Sequence, residues 1–85
     1  MWTRKDLLER ISANPDVCFG KPVIKGTRIW ISLILDLMAN GLSETDILAE
    51  YPQLTREDIH AALAYGSLAA QERYIPIGSG KTDEN

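Results

Sequence analysis

Apolar and polar positions along this 85-residue chain repeat one short pattern three times: apolar, Ser or Thr, two variable residues, Asp, apolar. The copies are Trp2-Thr3-Arg4-Lys5-Asp6-Leu7, Leu42-Ser43-Glu44-Thr45-Asp46-Ile47 and Leu54-Thr55-Arg56-Glu57-Asp58-Ile59. A hydroxyl ahead of a helix accepts from the unpaired amides of the first turn, and an acid three residues on closes a capping box. The acid also suits the positive end of the helix dipole, and the flanking apolar residues form a staple. The pattern predicts helices starting near Thr3, Ser43 and Thr55.

A fourth helix is predicted between Trp30 and Gly41. Trp30, Ile31, Leu33, Ile34, Leu35, Leu37 and Met38 are apolar almost all round, which fits a buried helix with Gly41 as its left-handed stop. Pro52 ends the helix from Ser43 near Tyr51. The helix from Thr55 runs long, with Ile59, Ala62, Leu63, Gly66 and Ala70 expected on its inner stripe, until Pro76. Residues 1–76 therefore read as one domain, and 77–85 as a flexible polar tail rich in glycine. The interval from Ser43 to Thr55 holds two helical turns and a link through Pro52-Gln53-Leu54. That cadence fits a helix-turn-helix completed by the preceding helix, as it also fits other small helical bundles.

Before these helices lies Cys18-Phe-Gly-Lys-Pro-Val-Ile-Lys-Gly-Thr-Arg28. Its glycines and proline punctuate the backbone, and Val23-Ile24 and Ile29 read as short strands. Lys21, Lys25 and Arg28 concentrate positive charge in a chain of net charge −3. Residues 1–28 hold six cations against three acids, whereas 29–85 hold three against nine. One end can approach phosphate; the other repels it or attracts a basic protein. Arg56 is the one cation in the first turn of the last-named helix, and Glu57 and Asp58 beside it are expected to weaken DNA contact there. Lys21, Lys25 and Arg28, with Arg56 as an auxiliary, are thus the candidate DNA-binding residues.

An apolar share of 45% argues against a disordered chain, yet a chain this short buries a marginal core, which favours a homodimer. No apolar run approaches the roughly 18 residues a membrane span needs, and the opening Met-Trp-Thr-Arg-Lys-Asp does not read as a signal peptide. A single cysteine fits a reducing, cytoplasmic setting. Cys18 is expected to be a small buried residue and His60 to lie on a solvated or partner-facing side. Neither supplies a metal cluster or a nucleophile–base pair, so no enzymatic role, metal or cofactor is expected. The segment Gly20–Thr27 fails as a phosphate loop. Its glycines are one residue too far apart, no lysine follows the second, and Pro22 lacks an amide.

Several segments together resemble one family: Arg10-Ile-Ser-Ala-Asn-Pro-Asp-Val-Cys18, Gly20-Lys-Pro-Val-Ile-Lys-Gly-Thr-Arg-Ile29, Asn40-Gly-Leu-Ser43 and Tyr51-Pro-Gln-Leu-Thr-Arg-Glu-Asp-Ile59. They are similar to the bacterial domain-of-unknown-function family four-three-three over roughly residues 10–70. Gly20, Lys21, Pro22, Gly26, Thr27, Arg28, Gly41, Tyr51, Pro52 and Leu54 match its motif. Phe19 stands where a second glycine is usual, and Trp30 where a proline or small residue is usual. The resemblance implies a mainly α fold: a homeodomain-like trihelical core preceded by a short helix and short strands, commonly dimeric. It further implies an antitoxin similar to the VapB type, partnered by a PIN-like ribonuclease toxin and binding operator DNA. The alternative is a protein-interaction module of the same shape with no DNA target.

Overall fold

The computed structural model describes residues 1–72. The expected polar tail at 77–85 lies outside the described residues, as does the expected helix stop at Pro76. Four helices, α1 (Arg4–Leu8), α2 (Ile31–Ala39), α3 (Glu44–Glu50) and α4 (Arg56–Glu72), accompany two short strands, β1 (Ile11–Ser12) and β2 (Val23–Ile24). The molecule is mainly helical, with a short helix and a small antiparallel ribbon ahead of a three-helix core.

All three repeated caps close. The Asp6 amide donates to Thr3 Oγ1 at 3.1 Å and the Thr3 amide to Asp6 Oδ2 at 3.4 Å. Ser43 and Asp46 exchange the same pair at 3.0 and 3.1 Å, and Thr55 and Asp58 at 3.0 and 3.3 Å. Gly41, with φ 98°, ends α2 as a Schellman turn. Its amide donates to the Met38 carbonyl at 3.0 Å, and the Leu42 amide to that of Leu37 at 3.1 Å.

The core joins Ile31 and Ile34 of α2, Ile47 of α3, Leu54 of the link, and Ile59, Ala61 and Ala62 of α4. Ile24 and Ile29 of the ribbon pack into the same cluster. The inner stripe of α4 differs from expectation. Ile59 and Ala62 are buried, but Leu63 is 39% exposed and Ala70 is exposed, while Asp58 and Ala61 are buried instead. The buried arc centres on Ala62, and Leu63, one position on, lies about 100° further round the helix. Gly66 lets α2 approach α4: a Cβ there would stand 3.1 Å from Leu35 Cδ1.

In the ribbon Ile11 pairs with Ile24 and Ser12 with Val23, and Val23 bridges Trp30 on its other side. Directly opposed residues share a face. Ile11, Ile24 and Ile29 thus turn toward the helices, while Ser12, Val23 and Trp30 share the other face, where Val23 is nonetheless buried.

Candidate functional site

Residues 22–31 form a tight hairpin that carries the charged block outward. The Ile31 amide donates to the Pro22 carbonyl at 3.0 Å, and the Ile24 amide to the Ile29 carbonyl at 3.1 Å. At the tip the Thr27 amide returns to the Ile24 carbonyl at 2.9 Å, with Gly26 at φ 82° supplying the left-handed third position of the turn. Thr27 pins the tip a second time. Its hydroxyl donates to the Ile24 carbonyl at 2.7 Å and accepts from the Ile29 amide at 3.0 Å.

This construction sets Lys21 at the hairpin base and Lys25 and Arg28 at its tip, all three exposed. Among the described residues none of the three enters an ion pair, whereas Arg10 and Arg56 both do. Lys21 Nζ lies 5.0 Å from the centre of the Trp30 ring, a cation–π contact across the ribbon. Arg28 borders a cleft of about 390 Å³ whose other walls include Asn14, Val17 and Val23. Residues 17–35 contain no carboxylate, so this segment itself carries only positive charge.

The loop before β2 presents an aromatic ring. Cys18, Phe19 and Gly20 are successive left-handed residues at φ 50°, 59° and 82°. Phe19 is 98% exposed. The glycine expected at that position would adopt φ 59° without strain; a phenylalanine there costs about 1 kcal/mol or more. Cys18 is half-buried rather than fully enclosed, because its Sγ, 3.8 Å from the Arg28 carbonyl, ties the loop to the hairpin tip at the surface.

Arg56 does not join the hairpin cations. It projects from the start of α4, with its Nε donating to Glu44 Oε1 at 3.1 Å. The two carboxylates beside it both lie against Arg10. Asp58 is 5% exposed, turned inward by its cap, and accepts from Arg10 at 3.0 Å. Glu57 lies 3.5 Å from the same guanidinium. Arg10 therefore leaves the pool of free cations and clamps the N-terminal segment to α4. Its carbonyl also accepts from the Lys25 amide at 2.7 Å, which joins hairpin and clamp.

His60 sits beside this region, half-buried, with Trp2 packed on it at a 4.9 Å ring separation. Its Nε2 is buried 3.2 Å from Glu44 Oε2 but not aligned for a hydrogen bond. No group of three or more His, Cys, Asp or Glu side chains that could hold a metal occurs among the described residues. No described helix is long and apolar enough to cross a membrane.

The motif residues divide by role. Gly20, Gly26 and Gly41 take left-handed backbone, Thr27 pins the turn, and Pro22 anchors the hairpin base. The Tyr51 carbonyl accepts from the Leu54 amide at 3.0 Å around Pro52, and Leu54 enters the core. Only Lys21 and Arg28 put exposed charge on the surface. A three-helix core preceded by a short helix and a cation-bearing hairpin is the class these features define.

The chain belongs to the family described as Protein of unknown function (DUF433), whose model matches residues 11–66. It is also similar to a DUF433 member protein from Anabaena variabilis ATCC 29413, known from a crystal structure at 2.00 Å resolution. The two are 33% identical with a TM-score of 0.69, over 74% of this chain and 62% of that one. The match thus spans under two thirds of the Anabaena protein. No curated protein is similar enough to match the chain.

Proposed function

We propose that the protein is the antitoxin of a type II toxin–antitoxin pair. In this reading it acts in the cytoplasm as a homodimer, neutralises a PIN-like ribonuclease and binds operator DNA to regulate its own synthesis. One observation carries the reading: Lys21, Lys25 and Arg28, exposed and outside the ion pairs that hold Arg10 and Arg56, gather on the hairpin, while carboxylates prevail after it. Lys21, Lys25 and Arg28 face phosphate, with Arg56 as a subsidiary contact once Glu44 yields it. The acid-rich remainder attracts a basic nuclease. The role is binding; no catalytic step is assigned.

Co-expression with the product of an adjacent gene tests the toxin half. A toxic product whose effect is relieved and which co-purifies supports the reading; a harmless product that never co-purifies refutes it. A mobility shift with the gene's own upstream DNA tests the other half.

The second reading, a protein-interaction module without a DNA target, is favoured by α4. After Arg56 its outward stripe runs Leu63, Ser67 and Ala70, and residues 61–71 carry no charge. A helix entering a DNA groove needs cations or amides on that face. Complex formation with no DNA shift would select this reading.

A further inference from the structure

We propose that the hairpin and the loop before it form a stacking platform for single-stranded nucleic acid, DNA or RNA. This rests on the reading of Lys21, Lys25 and Arg28 as a phosphate-facing set, and it names unpaired bases as the ligand. Within twelve residues, Phe19 to Trp30, the chain exposes two aromatic rings and three cations. Phe19 is almost fully in water on a backbone that disfavours its side chain, so it is held out rather than tucked in. Trp30 is 41% exposed on the ribbon face it shares with Ser12 and Val23, with Lys21 already against it.

Aromatic faces interleaved with cations are what single strands recognise: bases stack on the rings while the backbone follows the charge. In a duplex the base faces are covered by their neighbours, so a projecting ring gains no stacking partner without unstacking a step. A purely electrostatic duplex contact has no use for Phe19. The hairpin holds the platform rigid, because Thr27, Gly26 and the Cys18–Arg28 contact fix its tip.

The test is fluorescence anisotropy of labelled oligothymidylate and oligouridylate of about twelve nucleotides, within the span such sites cover. A mixed-sequence duplex of equal length, in the same low-salt buffer, is the comparison. The protein is expected to bind both single strands more tightly than the duplex. Phe19→Gly and Trp30→Leu are each expected to weaken single-strand binding about five- to tenfold while leaving duplex binding nearly unchanged. Phe19→Gly suits the local backbone, so it keeps the test decisive if Trp30→Leu misfolds. Equal or tighter duplex binding, or unchanged single-strand affinity in Phe19→Gly, overturns the platform. Binding to operator duplex without single-strand binding would sink this inference and leave the operator reading standing. Binding to neither would sink both. If the two variants lose toxin co-purification but keep single-strand affinity, the surface is a protein-docking face and the inference is wrong.

Discussion

Replacing Asp58 by alanine removes two things at once: the acceptor of the Thr55 amide and a carboxylate that holds Arg10. The cap alone is worth about 1 kcal/mol, and the charged hydrogen bond from a partly exposed arginine adds a similar amount. Asp58→Ala should therefore cost about 2 kcal/mol in urea unfolding, whereas Glu57→Ala, at the exposed edge of the clamp, should cost under about 1 kcal/mol. Phe19→Gly acts in the opposite direction. Release of the left-handed strain outweighs the added freedom of the unfolded chain, and the expected outcome is a rise of a few degrees in Tm. Of these two sites, Phe19 was legible in the sequence as a departure from the glycine usual there. The Arg10 clamp was not. Its partners lie 47 and 48 positions away, and nothing local distinguishes Arg10 from a solvated arginine.

Elements were readable wherever their cause is local. Each capping box needs residues three apart, so Thr3, Ser43 and Thr55 announced their helices directly. Gly41 announced the end of α2 for the same reason. Gly41→Ala should destabilise the fold by about 1 to 2 kcal/mol, since φ 98° admits a Cβ only under strain. The phase of α4 was not readable, because alanine and leucine supply apolar positions on both sides of Ala62 and tertiary contact alone decides which are covered. The cap of α3 also carries a pH signature. The Ser43 amide, and secondarily its hydroxyl, hold the Asp46 carboxyl below its ordinary value of 3.8. A lowered pKa means stability that is present above the ordinary value and is lost as pH falls below it. The stability difference between wild type and Asp46→Asn should therefore shrink as pH drops from neutral to below about 4, read by urea unfolding across pH. A difference that stays constant would show that the carboxylate's charge plays no part in the cap.

At the scale of the whole molecule, the division of charge was legible from composition, but which cations remain available was not. Folding removes Arg10 and engages Arg56, while the hairpin leaves Lys21, Lys25 and Arg28 in solvent. Our reading makes the molecule a dimer whose small cores depend on association, so sedimentation equilibrium should show a mass that falls on dilution and a Tm that falls with it. The charged hairpin is tested most directly by the salt dependence of nucleic-acid affinity. Neutralising three duplex phosphates gives a slope of log K against log salt near −2.7, by about −0.9 per phosphate. The account predicts that replacing Lys21, Lys25 and Arg28 together by alanine flattens most of that slope while the fold's Tm is kept. An unchanged slope in the triple variant would contradict it.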